Sequence, residues 1–218
     1  MKKIYFDNIE STQIFAKSMA KQGIKHEIYI AKEQSSGIGR NGHSWFSNLG
    51  GLYFSYITDK FNNIYTLTLA VVINQILKEK YKIETKIKWP NDILLNNKKI
   101  AGIICEKVNN AIVVGIGINT NFDSSNLGEL SDIAATIVSE TGIMLDNEKL
   151  LDEIMEKTDK LNDEKEILKM FKENMAFLGE KRYVSQIEQE ATVVGINDNG
   201  YLIVNSNDKE NIIVGGTI

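Results

Sequence analysis

Residues 37–51 of the chain read Gly-Ile-Gly-Arg-Asn-Gly-His-Ser-Trp-Phe-Ser-Asn-Leu-Gly-Gly, and residues 52–58 continue as Leu-Tyr-Phe-Ser-Tyr-Ile-Thr. The first segment, which we call the glycine loop, holds five of the sixteen glycines of the chain. Glycine adopts positive φ without strain and lets a backbone approach a ligand closely, so this composition predicts a loop that wraps a bound molecule. The backbone N–H groups of such a loop can bind an anion, and Arg40 adds a fixed positive charge.

Two common nucleotide-binding motifs partly match the glycine loop, and its surroundings exclude both. The dinucleotide motif G-x-G-x-x-G requires a helix directly after the glycines, whereas residues 52–58 are aromatic and β-branched and predict a strand. The P-loop motif requires a phosphate-binding lysine where His43 stands. Because residues 27–33 also have a strand pattern, the loop is predicted to connect two strands.

Three later segments complete a recognisable pattern. Lys-Trp-Pro-Asn-Asp occupies residues 88–92, Lys-Ile-Ala-Gly occupies residues 99–102, and Gly-Ile-Gly-Ile-Asn occupies residues 115–119. With the glycine loop, these segments resemble the biotin protein ligase family, whose motifs are G-R-G-R-x-G-R-x-W, K-W-P-N-D, K-x-A-G and G-x-G-I-N in this order. Each motif alone is weak, but the four in order are specific, and the resemblance covers nearly the whole chain.

The resemblance implies an α+β fold. It predicts a catalytic domain at residues 1–179, built on a mixed β-sheet of the class II aminoacyl-tRNA synthetase-like and biotin–lipoate ligase-like kind. It also predicts a small SH3-like β-barrel at residues 180–218, where the pattern changes to short strands with tight turns. A module of about 40 residues is too small to be stable alone. Because no helix-turn-helix precedes Met1, the chain resembles the ligases that lack an N-terminal DNA-binding domain.

Local signals predict individual elements. Ser11 is a suitable cap for a helix over residues 12–22, and Ser131 is predicted to cap a helix that Gly142 ends. The Asn-Asn pair at residues 96–97 predicts the turn of a hairpin. Strand patterns occupy residues 27–33, 52–58, 86–88, 93–95, 100–107 and 111–118.

Composition is that of an ordinary globular protein of 218 residues, 43% hydrophobic and 25% charged. The net charge of −4 argues against general nucleic-acid binding, which usually requires a basic surface. The single cysteine, Cys105, excludes an internal disulfide, and no apolar run approaches the roughly 18 residues of a membrane span. Residues 1–13 lack the apolar core of a signal peptide, so we expect a cytoplasmic protein.

The resemblance implies a two-step reaction that requires ATP. The biotin carboxylate first joins the α-phosphate of ATP and expels pyrophosphate, and a lysine of a biotin carboxyl carrier protein then attacks the biotinyl-adenylate and releases AMP. Negative charge gathers around the carboxylate and phosphate oxygens in both transition states, so positioning and positive electrostatics should dominate catalysis. By resemblance, Arg40 and Lys99 are the catalytic cations. Mg²⁺ is expected to accompany ATP through its phosphates, because the sequence shows no dedicated metal cluster.

The resemblance also assigns the ligand contacts. Biotin needs a slot with a few polar groups for its ureido ring, and Gly102 is expected to leave room for that ring. The implied biotin-binding residues are Ser11, Thr12, Gln34, Gly37, Ile38, Arg40, Lys99 and Gly102, of which Gly37 and Ile38 act through their backbones. The implied ATP- and adenylate-binding residues are Arg40, Gly42, Trp45, Lys88, Asn91, Asp92 and Asn119.

The chain departs from the family pattern inside the glycine loop, and two other functions stay open. Ile38 and His43 stand where the family has arginines, which leaves fewer permanent charges for the phosphates. A lipoate–protein ligase shares the implied chemistry and fold, although the loop and the motif at residues 88–92 match the biotin branch. The third hypothesis is a non-catalytic biotin or nucleotide sensor, which would not need both Arg40 and Lys99. Specific DNA binding and membrane association are not expected, and the protein is expected to be a monomer or a homodimer.

Overall fold

The computed structural model describes residues 1–207, 209–216 and 218. Within these ranges the fold is α+β, with one mixed sheet of seven strands and a separate antiparallel sheet of four. The chain forms two compact units, residues 1–62 with 95–152 and residues 63–94 with 153–218. The α+β class predicted from the sequence is confirmed. The predicted domain boundary at residue 179 falls inside the second unit and remains a proposal.

The described helices and strands follow the predicted order closely. The strands are β1 (Lys2–Ile9), β2 (Glu27–Gln34), β3 (Leu52–Thr58), β4 (Lys86–Lys88), β5 (Asp92–Leu95), β6 (Lys98–Val108), β7 (Ala111–Ile118), β8 (Lys181–Val184), β9 (Gln189–Ile196), β10 (Leu202–Ser206) and β11 (Lys209–Ile213). The helices are α1 (Thr12–Lys21), α2 (Tyr65–Tyr81), α3 (Ile137–Thr141), α4 (Asn147–Lys160) and α5 (Glu164–Glu173).

In the first unit, five strands of the mixed sheet lie in the order β1-β2-β3-β7-β6. β1 runs parallel to β2, and the other neighbours are antiparallel. Across β3, β7 and β6 the register aligns Ser55 with Gly115 and Gly115 with Ile104. Paired residues point to the same face of a sheet, and so do residues two apart along a strand. Gly115 and Gly117 of β7 therefore share one face.

Helix α1 packs on the sheet of the first unit through its small residues. Ala16 and Ala20 are buried in a cluster with Tyr29 and Val113, which brings the helix close to the strands. Ser11 caps the helix as predicted, because its side chain accepts a hydrogen bond from the backbone N–H of Ile14. The cap holds the first turn of α1 at the end of the sheet where the glycine loop begins.

The prediction that Ser131 caps a helix is wrong. Residues 124–132 form 3-10 turns, and α3 begins later, after Thr136, whose side chain accepts from the backbone of Ser139. The backbone between the 3-10 turns and α3 pairs with β6, because the carbonyl of Ile133 accepts from the backbone N–H of Lys99 at 2.9 Å. This bridge to the start of β6 competes with helix formation, and no local signal in the sequence reports it. Gly142 does end α3, in the left-handed conformation.

The second unit combines helices α2 and α5, the β4–β5 hairpin and the four-stranded sheet, in the order β11-β10-β9-β8. The antiparallel sheet agrees with the SH3-like module expected near the chain end. Trp89 is buried, and its indole N–H donates to the backbone carbonyl of Gly200 at 2.9 Å. This hydrogen bond links the Lys-Trp-Pro-Asn-Asp segment to the turn before β10. In the part of the chain that the structure describes, no helix has the length and apolar character needed to span a bilayer.

Candidate functional site

The centre of the site is a stretch of β-sheet without side chains. Gly115 and Gly117 share one face of β7, and Gly102 of β6 is paired with Gly117. We call these three residues the glycine floor. The sequence prediction included Gly102 and missed the other two, although they are the glycines of the Gly-Ile-Gly-Ile-Asn segment. A Cβ at Gly115 or Gly117 would lie within 2.6 Å of a neighbouring side chain, so glycine is required at both positions.

One end of the floor carries a polar cluster. The backbone N–H and the hydroxyl of Thr12 both donate to Oε1 of Gln34, at 2.8 and 3.1 Å. The same hydroxyl lies 2.9 Å from Oγ of Ser55, the residue paired with Gly115. The amide nitrogen of Gln34 donates to Oγ of Ser47 at 2.8 Å. The structure therefore brings the predicted Thr12 and Gln34 together and adds two serines that the sequence reasoning missed.

Gln13 is a further residue at this end that the sequence reasoning missed. Its side chain is 2% exposed, and its amide nitrogen donates to Glu106 Oε2 at 3.0 Å and to the carbonyl of Val113 at 3.2 Å. A Cβ on Gly115 would lie 2.6 Å from Gln13 Oε1, so this oxygen sits directly above the floor. Oε1 is buried and has no hydrogen-bond partner among the described residues. Such an atom is unusual, because nearly all buried polar atoms are paired.

The glycine loop folds back on itself as a tight turn. Ile38 forms an antiparallel bridge with Ser44, and the backbone N–H of Gly39 donates to the carbonyl of His43 at 2.7 Å. At the tip, Asn41 and Gly42 have φ of 54° and 77°, the left-handed region that favours glycine. Gly42 and His43 are exposed there, and Arg40 is half-buried.

Gly37 fixes the base of the loop against the polar cluster. Its carbonyl accepts from the backbone N–H of Trp45 at 2.8 Å. A Cβ on Gly37 would lie 2.5 Å from the carbonyl oxygen of Trp45 and 2.6 Å from Ser47 Oγ, so no side chain fits. Ser11 is also buried here, and its hydroxyl oxygen already accepts from Ile14. Ser11, Thr12, Gln34 and Gly37 thus meet around the first turn of α1 and the base of the loop.

Trp45 lies on the other end of the floor. A Cβ on Gly102 would approach its indole to 2.9 Å, and a Cβ on Gly117 would overlap the ring. The indole nitrogen is buried and has no hydrogen-bond partner among the described residues. The sequence reasoning expected Trp45 beside the adenylate and expected free space above Gly102. In the structure the indole itself covers Gly102 and Gly117.

The two neighbouring lysines at the start of β6 point to different surroundings. The amine of Lys99 lies 5.2 Å from the centre of the Trp45 ring and 3.3 Å from the position that a Cβ on Gly102 would take. The amine of Lys98 donates instead to the backbone carbonyl of Ser131 at 2.8 Å. The amine of Lys99 therefore lies at the glycine floor, and the catalytic role expected for it from the sequence stays a prediction.

Asn119 follows β7 at the far end of the same face. Its backbone N–H donates to the carbonyl of Ile100, and its side-chain nitrogen donates to the carbonyl of Ala135 at 3.1 Å. These contacts fix the amide so that Oδ1 is the atom left over. Oδ1 is buried without a hydrogen-bond partner in the described part of the chain, so it is available to a donor such as an amino group.

Tyr53 closes the floor on the β3 side, where it pairs with Gly117. Burial raises the pKa of its phenol well above the usual range, and the Glu33 carboxylate raises the pKa further. The phenol stays neutral and donates to the backbone carbonyl of Asn48 at 2.9 Å. Tyr53 therefore contributes shape and no charge to the site.

The remaining predicted residues lie in the second unit. Lys88 and Asp92 are cross-strand partners in the β4–β5 hairpin, and both are half-buried. Asn91, in the turn between them, is 8% exposed. The hairpin thus presents a cation and a carboxylate side by side, with an amide beside them.

Residues 5–123, more than half of the chain, match the family model described as the biotin/lipoate A/B protein ligase family. The bifunctional ligase/repressor BirA of Bacillus subtilis is 34% identical over 166 residues, which cover 70% of this chain and 51% of that protein. A biotin–[acetyl-CoA-carboxylase] ligase of Paracoccus denitrificans is 31% identical over 138 residues, which cover 56% of this chain and 57% of that protein. The chain therefore spans about half the length of the curated relatives it matches.

The fold is similar to a solved structure over almost its full length. A biotin protein ligase from Aquifex aeolicus, solved in complex with biotin and ATP, superposes with a TM-score of 0.87 and 27% identity. The match covers 99% of this chain and 97% of that chain.

Proposed function

Since the chain belongs to the biotin/lipoate A/B protein ligase family, we propose that it is an ATP-dependent biotin protein ligase. It activates biotin to biotinyl-5′-AMP with release of pyrophosphate, and it then transfers biotin to a lysine of a biotin carboxyl carrier protein. The similarity to a ligase solved with biotin and ATP supports the first step. The similarity to a biotin–[acetyl-CoA-carboxylase] ligase supports the acceptor class.

The observation that carries the proposal is the combination of the glycine floor with two buried, unpaired amide oxygens, one at each end. Gln13 Oε1 lies over Gly115, and Asn119 Oδ1 lies at the far end of the same strand face; neither has a hydrogen-bond partner among the described residues. An unpaired buried acceptor costs roughly 1–3 kcal/mol, and a ligand that donates to it recovers that cost. Biotin offers ureido N–H groups and adenine offers an amino group, so a biotinyl-adenylate supplies a donor for each end.

Lys99 and Arg40 supply the positive charge of the reaction. Lys99 reaches the floor beside Gly102, and Arg40 is a half-buried residue of the glycine loop. In adenylation, an oxygen of the biotin carboxylate attacks the α-phosphate, and the bond from that phosphorus to the pyrophosphate oxygen breaks. Preorganised cations stabilise the charge that builds up on the carboxylate and phosphate oxygens. In transfer, the acceptor amine attacks the activated carbonyl carbon, AMP leaves, and the amine loses a proton.

The other contacts follow from position. Thr12 and Gln34, with Ser11 and the backbones of Gly37 and Ile38, hold the ring of biotin. We assign the adenylate side to Gly42, Trp45, Lys88, Asn91, Asp92 and Asn119. Mg²⁺ bound to the phosphates of ATP would neutralise part of their charge. Among the described residues, no group of three or more His, Cys, Asp or Glu side chains is arranged to hold a metal. A cytoplasmic location and a monomeric or homodimeric state belong to the same proposal.

ATP–pyrophosphate exchange tests the proposed function and its two alternatives. Labelled pyrophosphate should enter ATP when biotin is present, and not with lipoate or without an acid. Exchange that depends on lipoate would establish a lipoate–protein ligase instead. Binding of biotin or ATP without any exchange would establish a sensor. Transfer is tested by mass spectrometry of a carrier-protein domain, with its acceptor lysine replaced by arginine as the control.

A further inference from the structure

Gln13 has an amide whose orientation is set by its surroundings. Its nitrogen faces Glu106 Oε2 and the carbonyl of Val113, at 3.0 and 3.2 Å, and both of these atoms only accept hydrogen bonds. Turning the amide over would place its oxygen against two other oxygens, so Oε1 is held above Gly115. Gln13 is 2% exposed, and its Oε1 has no hydrogen-bond partner among the described residues.

Glu106 is itself held in place. Its second carboxylate oxygen, Oε1, forms an ion pair with the amine of Lys17 at 2.6 Å, and both side chains are 31% exposed. Lys17 lies on α1, one turn after Gln13, and Glu106 lies on β6. The order Lys17, Glu106, Gln13 therefore runs from the protein surface to the floor, and each group limits the orientations of the next.

Gln13 Oε1 lies over Gly115, which borders the polar cluster that we assign to the ring of biotin. Gly115 is paired with Ser55, whose hydroxyl contacts Thr12, and Thr12 donates to Gln34. Gln34 Oε1 already accepts two hydrogen bonds from Thr12, whereas Gln13 Oε1 accepts none among the described residues. A ring that packs beside Gln13 at this end of the floor therefore meets one acceptor whose capacity is unused.

On the basis of the proposed function, we propose that Gln13 is a specificity-determining residue whose side-chain oxygen accepts a hydrogen bond from one ureido N–H of biotin. We further assign Glu106, held by Lys17, as the positioning residue that keeps this oxygen turned towards the ring. A buried acceptor of this kind favours cyclic ureas and rejects acids whose ring lacks an N–H, because the acceptor would stay unpaired. The dithiolane ring of lipoate is such a ring.

The test compares biotin with its two N-methyl derivatives, one methylated at each ureido nitrogen, on the 218-residue chain. Equilibrium dissociation constants are measured by calorimetry for wild type and for Gln13→Met, a side chain of similar length without an acceptor. In wild type, methylation of the nitrogen that faces Gln13 should weaken binding by roughly threefold to tenfold more than the same methylation does in Gln13→Met. The other methyl derivative is the internal control, since its penalty should be the same in both proteins. Equal penalties in both proteins for both derivatives would overturn the assignment of Gln13.

The positioning role of Glu106 has a separate readout. Glu106→Leu should raise the KM for biotin severalfold and leave kcat at saturating biotin near the wild-type value. Glu106→Gln should restore most of the affinity, because its amide oxygen can still accept from Gln13. An equal loss in both Glu106 variants, or a loss mainly in kcat, would refute the positioning role.

Failure of this inference can be told apart from failure of the proposed function. If wild type shows biotin-dependent pyrophosphate exchange but the methylation penalties do not change in Gln13→Met, only the role of Gln13 is wrong. If wild type neither binds biotin nor catalyses exchange, both proposals fail together.

Discussion

Lys98 and Lys99 provide a matched pair of substitutions that separates catalysis from stability. The two residues are neighbours with identical side chains, but one amine binds the carbonyl of Ser131 and the other lies over the glycine floor. If Lys99 stabilises charge between the carboxylate and the α-phosphate, Lys99→Ala removes a preorganised charged donor. The loss of such a donor typically lowers the rate by about 10²–10³, or roughly 3–4 kcal/mol.

The cost in folding free energy should be similar for the two variants. Lys99→Ala removes a cation–π contact with Trp45 at 5.2 Å, which is worth about 0.5–1 kcal/mol at a partly exposed site. Lys98→Ala removes a hydrogen bond to Ser131 from a half-buried amine, worth roughly 1–2 kcal/mol. A change of this size lowers Tm by only a few degrees, about 2–4 °C per kcal/mol. Both proteins should therefore remain folded at 25 °C.

The assay measures biotin-dependent pyrophosphate exchange, equilibrium biotin binding and thermal unfolding for both variants. We expect Lys98→Ala to exchange within a few-fold of wild type, and Lys99→Ala to lose exchange while it still binds biotin. The opposite pattern would show that the assignment of the two amines is wrong. Equal losses of exchange in both variants, in step with the loss of stability, would show that neither lysine acts on the reaction directly.

Three further predictions address the slot, the loop and nucleic acid. Gly102→Leu should weaken biotin binding by at least about tenfold, because even a Cβ at this position meets the Trp45 indole at 2.9 Å and a larger side chain fills the floor. Calorimetry measures the dissociation constant for biotin, and an unchanged value would exclude Gly102 from the biotin site. Proteolysis within the glycine loop should slow when biotin and ATP are added together, since fixing glycine-rich backbone around a ligand reduces local opening; equal cleavage rates would count against a loop that wraps the adenylate. With a net charge of −4, the chain should not retard operator DNA selectively at physiological salt, with or without biotin; a sequence-dependent gel shift would contradict this.

The parts of the fold that the sequence predicted are those controlled by neighbouring residues. The cap at Ser11 and the strand at Leu52–Thr58 are both confirmed, and each depends on signals within a few positions. The turn at Asn96 and Asn97 is also local, and both residues have positive φ, as a tight hairpin turn requires. The helix predicted after Ser131 failed because its backbone pairs with Lys99, more than 30 residues earlier in the chain.

For the polar contacts of the site, too, the sequence predicted what local signals control and missed what distant residues determine. The motifs identified which segments meet, because a position too crowded for a side chain requires glycine, and glycine is visible in the sequence. They did not identify Gln13, because a glutamine near the start of an amphipathic helix looks like any solvated residue. Its burial results from the small side chains of α1, which let the helix approach the sheet, and from the space above Gly115. An unpaired acceptor becomes visible only when every other hydrogen bond around it has been assigned.

The strand register also places the unused acceptor and the lysine amine at different positions along β7. Gly115, with Gln13 and Ser55, lies two residues from Gly117, and two residues of a strand span about 7 Å. The amine of Lys99 lies at the Gly102–Gly117 end, and the unused acceptor lies at the Gly115 end. Under the proposed function, an acid that places its ring at one end and its carboxylate at the other would be recognised and activated by different side chains. Affinity and ring selectivity can therefore change at the Gly115 end without altering the charges that act on the carboxylate. The indole of Trp45 covers Gly102 and Gly117 at the Lys99 end, 5.2 Å from that amine.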